Sequence, residues 1–263
     1  MTMVDDSTLL ETMHALSNAA GVKAMEIYNS EFAVVEKNDK SPVTEADKLG
    51  EEIIVAGLRL AAPSIPILAE EAASDGNIPT LGSTFFLVDP LDGTREFVNR
   101  TGEFTVNIAL IRDNKPVLGI VYAPAIGKLY GGGPDGAYME TFSAPGTCND
   151  RTEIKARTAQ GNGLTAVASR SHRSPETDAF LETLTIAEFA AAGSSLKFCL
   201  IAEGAADVYP RLGRTMEWDT GAGQAVLEAA GGSVDVFGEE KPLEYNKIDR
   251  GYDNPHFIAW GKR

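Results

Sequence analysis

The chain has 263 residues, of which 43% are hydrophobic, and its 38 acidic residues against 23 basic ones give a formal net charge of −15. This length and apolar content suffice for one large domain, or two modest ones, with a sizeable packed core. The negative charge argues against non-specific binding to nucleic acid or to an anionic membrane surface. An anionic ligand would need bound cations to reverse the local field.

The N-terminus and the two cysteines indicate in which cellular compartment the protein would lie. The first residues are acidic and no basic segment precedes an apolar one, so we expect no secretory signal. No apolar run approaches the roughly 20 residues that span a bilayer. Cys148 and Cys199 form no paired-cysteine motif, which fits a reducing environment. The sequence predicts a cytoplasmic protein, and leaves oligomeric state and peripheral attachment to the inner membrane open.

The first half predicts helices followed by an antiparallel sheet. Apolar residues at helical spacing predict a helix over residues 7–29 and a second helix from Thr44, where Thr44 and Asp47 resemble a capping box. A brief strand at 67–69 ends at Glu70. Branched and aromatic runs between turn signals predict further strands at 32–36, 84–88, 104–112, 117–123 and 128–131.

The second half predicts strands that alternate with helices. Turn-forming residues at 143–150 mark an internal boundary, which divides the chain into subdomains 1–145 and 146–263. The alternation predicts a largely parallel sheet covered by helices, with ligands at the carboxyl ends of its strands. The predicted helices are 175–184, 194–203 and 220–230, and the predicted strands are 164–169, 207–209, 233–237 and 257–260.

The stretch 89–94, Asp-Pro-Leu-Asp-Gly-Thr, follows a buried strand and concentrates oxygen ligands. Asp89 and Asp92 can point at one spot in such a turn, with the Leu91 carbonyl between them as a third oxygen. Hard oxygen ligands at this spacing suit Mg²⁺. The next two residues open a short helix, so their backbone NH groups would be free to hold an anion.

Each acidic residue, taken by itself, also has a simpler interpretation. Residues 89–94 are turn formers and can be an ordinary loop. Asp47 fits a helix capping box, and Asp219, directly before the predicted helix at 220, fits an N-cap. Adjacent acids such as Glu70 and Glu71 at a strand end are usually solvated surface. Only their combination favours a site.

Four segments together resemble the lithium-sensitive, Mg²⁺-dependent phosphatase superfamily, which holds inositol monophosphatases, fructose-1,6-bisphosphatases and bisphosphate nucleotidases. They occur in the family's order: 44–47 (Thr-Glu-Ala-Asp), 69–71 (Ala-Glu-Glu), 89–94, and 218–223 (Trp-Asp-Thr-Gly-Ala-Gly). The resemblance implies a fold in the α+β or α/β class, a layered αβαβα sandwich of the sugar-phosphatase type. It also implies two or three Mg²⁺ ions and inhibition by Li⁺.

Further segments resemble the bacterial CysQ-type 3′(2′),5′-bisphosphate nucleotidases. This closer resemblance implies hydrolysis of 3′-phosphoadenosine 5′-phosphate, a by-product of sulfate assimilation, to AMP and phosphate. The alternatives are an inositol or sugar monophosphate phosphatase of the same superfamily and, in another class, a catalytically silent metal- or nucleotide-binding module. The segments that carry the resemblance are 95–97, 102–110, 169–172, 193–199 and 209–211.

The resemblance also assigns roles to single residues. Asp47 and Thr94 would orient and deprotonate the attacking water, which Glu70 also holds. The metal ligands would be Glu70, Asp89, the Leu91 carbonyl, Asp92 and Asp219. The substrate contacts would be Gly93, Thr94, His172, Ser194, Lys197, Arg211 and Asp219.

Overall fold

The computed structural model describes residues 4–36, 42–159, 161–168 and 174–263. In these ranges the α-helices are α1 Asp6–Tyr28, α2 Glu45–Ala61, α3 Glu70–Ser74, α4 Thr94–Val98, α5 Pro175–Glu182, α6 Leu196–Ala202 and α7 Glu217–Ala229. The strands are β1 Val34–Glu36, β2 Pro42–Thr44, β3 Ile67–Ala69, β4 Thr84–Asp92, β5 Thr105–Arg112, β6 Lys115–Ala123, β7 Lys128–Gly133, β8 Gly136–Ala144, β9 Thr147–Ile154, β10 Leu164–Val167, β11 Ile186–Ala190, β12 Val208–Arg211, β13 Ser233–Val236 and β14 Phe257–Trp260. A 3-10 helix covers Ile248–Arg250.

No helix in the described part of the chain is long and apolar enough to cross a bilayer.

The first half builds one sheet in the order β3-β4-β5-β6-β7-β8-β9. Only β3 and β4 are parallel, and each of the other neighbouring pairs is antiparallel, so the predicted meander is confirmed. Both faces of its central strands are buried. In β4, Phe85 and Leu87 pack on one side of the sheet, whereas Phe86 and Val88 pack on the other. This explains why β4 is a continuous apolar run rather than an alternating one.

The fold has five layers, because helices cover both faces of each of the two large sheets. α1 and α2 pack on one face of the first sheet, and α7 packs on the other. α6 lies beside α7, and both contact strands of a second sheet. Leu181 of α5 packs against Ala166, Val208 and Ile258 on the outer face of that second sheet. The predicted αβαβα sandwich is therefore confirmed.

The second sheet corrects one prediction. Its order is β11-β10-β12-β14-β13, and β10 is parallel to both of its neighbours. β14, however, lies between β12 and β13 and is antiparallel to both. The expectation of a largely parallel sheet is wrong for this half. Parallel neighbours usually need a helical crossover, and between β13 and β14 the described chain has only the short 3-10 helix.

Two edge strands were not predicted. β9 presents exposed side chains at seven of its eight positions, and β11 is a short strand of five residues of which none is buried. The division at residue 145 falls in the turn between β8 and β9, which pair in the same sheet. The two-subdomain organisation stays a prediction.

Candidate functional site

The acidic loop begins where β4 loses its regular pairing. Asp89 is opposite Asn107, but Asp92 is opposite Thr105, so β4 has one extra residue in this interval. Such bulges bend a strand and re-aim its side chains, and they are frequent beside active sites. Asp89 is 1% exposed, and its Oδ1 accepts a hydrogen bond from the Leu91 NH at 3.0 Å. The bulge therefore turns the end of a buried strand into a fixed acidic turn.

Gly93 closes this turn against the second half of the chain. Its φ of +89° favours glycine, and a Cβ there would lie 2.2 Å from Ser194 Oγ. The Ser194 hydroxyl donates to the carbonyls of Asp92 and Glu103, each at 2.8 Å. In the structure, the Ser194 side chain therefore binds backbone carbonyls of the first half. Its contact with substrate stays a prediction.

Four carboxylates gather here, and we call Glu70, Asp89, Asp92 and Asp219 the acidic cluster. A side-chain hydrogen bond joins Glu70 to Asp89. Burial raises the pKa of Asp89 well above its usual range, and repulsion from the other three members raises it further. Burial and then Asp92 and Glu70 do the same to the pKa of Asp219. Residues from three separate predicted segments therefore share one electrostatic site.

The acidic cluster has the chemistry of a divalent-cation site. In the part of the chain that the structure describes, no three His, Cys, Asp or Glu side chains form a ready-made metal cage. The carboxylates of the acidic cluster nevertheless repel one another in a buried setting, and a bound cation would remove that repulsion. All-oxygen donors of this kind fit Mg²⁺.

Asp219 lies inside a helix, not in front of one. The prediction that the helix begins at Thr220 is wrong, because α7 begins at Glu217. The fully buried Glu217 carboxylate accepts hydrogen bonds from the NH groups of Asn246 and Lys247, which fixes the extra residues at the helix start. Asp219 Oδ2 accepts from the Met216 NH at 2.8 Å, so the side chain caps the first turn.

Asp47 caps α2 and also contacts Thr94 at the end of the acidic loop, while its role in catalysis stays a prediction. Its Oδ2 accepts from the NH and the hydroxyl of Thr44, each at 2.7 Å, which confirms the capping box at the start of α2. Its Oδ1 accepts from the Thr94 hydroxyl at 3.2 Å. With 1% exposure, Asp47 is held by α2 and oriented towards the acidic loop.

Two cationic side chains from the second half, Lys197 of α6 and Arg211 of β12, face the acidic cluster; we call them the cation pair. Lys197 Nζ donates to the Ser194 carbonyl at 2.9 Å. Burial raises the pKa of Asp92 to about 6, and Lys197 opposes that rise. Arg211 donates to the Arg214 carbonyl, while its buried Nε has no hydrogen-bond partner among the described residues.

A cavity of about 370 Å³ is lined by the cation pair and by two members of the acidic cluster, Asp92 and Asp219. Asp89 and Leu91 are each 1% exposed, at the buried end of the same loop. A larger cavity of about 1320 Å³ lies between α2 and residues 71–79, and no predicted site residue lines it. His172 lies outside the described residues. The predicted site residues that line the smaller cavity are Asp92, Gly93, Ser194, Lys197, Arg211 and Asp219.

Two further residues, Glu51 and Ser195, support the site but were not predicted from the sequence. Glu51 accepts from the NH groups of Glu71 and Ala72 at 2.7 and 2.9 Å, and so caps the short helix that begins at Glu70. It follows Asp47 by one helical turn, and this shared face was the available signal. The Ser195 hydroxyl donates to the acidic cluster across the chain. Nothing in the sequence distinguished it from an ordinary helix cap.

Known proteins are similar to this chain along nearly its whole length. The 3′(2′),5′-bisphosphate nucleotidase CysQ of Escherichia coli K12 is 42% identical over 251 residues, which cover 95% of this chain and 98% of that protein. The crystal structure of CysQ from Bacteroides thetaiotaomicron matches with a TM-score of 0.81 and 38% identity, covering 97% of this chain and 98% of that one. An inositol monophosphatase from Anabaena (Nostoc) shares the fold, with a TM-score of 0.75, 24% identity and coverage of 97% and 91%. A model of the inositol monophosphatase family matches residues 5–256, and the chain therefore belongs to that family.

Proposed function

We propose that this chain is a Mg²⁺-dependent 3′(2′),5′-bisphosphate nucleotidase, which hydrolyses the 3′-phosphate of 3′-phosphoadenosine 5′-phosphate to AMP and phosphate. The observation that carries the proposal is the 370 Å³ cavity, which Asp92 and Asp219 of the acidic cluster line together with the cation pair. A bisphosphate needs positive charge at two places, and this cavity offers a cation site on one side and fixed cations on the other. The relatives named CysQ support this substrate.

Proteins of this family are metal-dependent phosphatases that generally use Mg²⁺. We assign two or three ions to the acidic cluster and the Leu91 carbonyl, with Li⁺ as an inhibitor. Bound there, Mg²⁺ supplies charge neutralisation at the phosphate oxygens and lowers the pKa of the water nucleophile. The chain contributes the ligands on rigid elements: Glu70 opens α3, Asp89 and Asp92 end β4, and Asp219 lies in α7.

Thr94 and Asp47 would handle the proton of the attacking water. The Thr94 hydroxyl already donates its hydrogen to Asp47 Oδ1, which leaves its lone pairs free to accept from the water. Asp47 then acts as the base through Thr94, and Glu70 holds the water from the other side. As the water oxygen bonds to phosphorus, the bond from phosphorus to the ribose 3′ oxygen would break, and that oxygen would take up a proton from a second water molecule.

The remaining residues would bind the substrate. The NH groups of Gly93 and Thr94, at the start of α4, would face the transferred phosphate. Lys197 and Arg211 would hold the second phosphate, together with Ser194 and His172. Lys197, Arg211, Ser194 and His172 all lie in the second half, which also supplies the proposed metal ligand Asp219.

The proposed location is the cytoplasm. Neither cysteine forms a disulfide: Cys148 is exposed and Cys199 is buried. This suits a reducing compartment. The proposed partner is a small nucleotide, with no role for nucleic acid because of the acidic charge.

The test is phosphate release from 3′-phosphoadenosine 5′-phosphate and from inositol 1-phosphate in Mg²⁺, with and without Li⁺. We expect a preference for the nucleotide, suppression by Li⁺, and a loss of about 10²-fold or more in Thr94→Val, since the proton path is cut. Thr94→Ser keeps the hydroxyl and serves as the matched control. Preference for inositol 1-phosphate would move the substrate to the monophosphate class. Turnover of neither by folded protein would indicate a catalytically silent binding module.

A further inference from the structure

Ser195 connects two members of the acidic cluster that are far apart in sequence. Its hydroxyl lies 2.9 Å from the Asp219 carbonyl oxygen and 3.3 Å from Asp92 Oδ2. Ser195 precedes α6 and is 1% exposed, and its side chain makes no capping bond to that helix. The hydroxyl is therefore directed away from its own helix and into the acidic cluster.

The neighbouring residue fixes Ser195 in place. Ser194 has a φ of +49°, which is unusual for a residue with a side chain, and its hydroxyl donates to the Asp92 and Glu103 carbonyls. Gly93 lacks the Cβ that would collide with this hydroxyl. The turn at 194–195 is thus packed directly onto the acidic loop. Movement of Ser195 would require movement of that loop.

We propose that Ser195 is a positioning residue that sets the distance between Asp92 and Asp219 and thereby the affinity of the site for a divalent cation. A hydroxyl has one hydrogen, and its two acceptors here belong to different layers of the fold. Asp92 ends a strand of the first sheet, whereas Asp219 lies in the first turn of α7. The contact with Asp92 Oδ2 reaches a carboxylate that would bind the cation, whereas the contact with Asp219 holds its backbone carbonyl. Loss of hydrogen bonds that orient metal ligands typically weakens metal binding by about 10- to 100-fold.

This inference rests on the proposed function, and Mg²⁺ binding without substrate tests it. Full-length protein stripped with EDTA is titrated with MgCl₂ in a calorimeter, for wild type and Ser195→Ala. We expect the Mg²⁺ dissociation constant of Ser195→Ala to rise about tenfold or more. Its melting temperature in EDTA should stay near that of wild type, because a purely structural role would lower that temperature and spare the affinity. Saturating Mg²⁺ should restore turnover to within a few-fold.

Two further variants complete the design. Ser17→Ala is the matched control, because Ser17 is fully buried and donates to the His14 carbonyl in α1, away from the cluster; its affinity should equal that of wild type. Ser195→Cys keeps the side chain's size but weakens the donor, and should also bind Mg²⁺ more weakly. Wild-type affinity in either folded Ser195 variant would overturn the inference and leave the proposed function standing. Absence of Mg²⁺ binding in wild type would overturn both.

Discussion

The acidic cluster and the cation pair both contribute side chains to one cavity, but they are built differently. The carboxylates come from β4, α3 and α7, which are far apart in sequence, and Asp89 is held by backbone contacts in a buried bulge. Lys197 and Arg211 come from neighbouring elements of the second half and donate mainly to nearby backbone carbonyls. The acidic cluster joins distant segments and brings like charges together at an electrostatic cost, whereas the cation pair depends on contacts between residues close in sequence. Chemistry and recognition should therefore be separable by mutation.

The largest expected effect comes from breaking the acidic cluster. Asp89→Asn should lower turnover on the order of 10³-fold, because a cation that activates water loses a ligand. The same change removes one buried charge beside Glu70, Asp92 and Asp219, so the metal-free protein should melt a few degrees higher than wild type. Phosphate release and thermal melting in EDTA measure the two effects. Asp135→Asn, in an exposed turn, is the control. A lower melting temperature for Asp89→Asn would contradict the idea of an electrostatically costly cluster.

A smaller effect is expected from the cation pair. Lys197→Met should raise KM for 3′-phosphoadenosine 5′-phosphate about tenfold or more, since it removes a charged hydrogen bond to the second phosphate. KM for inositol 1-phosphate, which has no second phosphate, should change little. Steady-state kinetics on both substrates at saturating Mg²⁺ measures the change in each KM and the ratio of the two changes.

The control for Lys197→Met is a lysine of the same kind elsewhere. Like Lys197, Lys128 lies over a tyrosine ring. Its Nζ donates a hydrogen bond to the Glu203 carboxylate, away from the site. Lys128→Met should leave both KM values unchanged. An equal rise of KM for both substrates in Lys197→Met would mean that the lysine supports the site as a whole and does not read the second phosphate.

The smallest effect concerns a charge pair outside both groups. Hydrogen bonds from Arg157 lower the pKa of the buried Asp207, so this carboxylate stabilises the fold above its unfolded pKa of about 3.9 and ceases to do so as pH falls through its lower folded pKa. Asp207→Asn should reduce the free energy of unfolding by about 1–2 kcal/mol at pH 7. Denaturant unfolding at pH 7 and pH 3 should show this difference shrinking in acid.

Turnover of Asp207→Asn should match wild type, because neither Asp207 nor Arg157 lines the 370 Å³ cavity. The exposed Asp249→Asn is the control for stability. The same loss of stability at both pH values would show that packing, and not the charge of Asp207, stabilises this region.

Much of the fold was predictable because its elements carry strong local patterns. The helix periodicity before residue 29 and the apolar run of β4 reflect burial on one face and on both faces, respectively. Motif order predicted which carboxylates would meet, and the structure brings Glu70, Asp89, Asp92 and Asp219 together. Their roles as ligands stay predictions. The edge strands β9 and β11 were missed because edge positions need no apolar pattern.

The sequence by itself determined the residue types of the site, the order of its motifs and the covered central strands, since these depend on local chemistry and on how much of each element is buried. Only the tertiary structure decided that β14 inserts antiparallel between β12 and β13, that α7 begins at Glu217, and that Ser195 joins Asp92 to Asp219. Each of these depends on contacts between residues distant in sequence, such as Glu217 with the NH groups at 246 and 247. A local sequence pattern does not predict such contacts, because the same residue types are equally suited to a helix cap or to an exposed surface position.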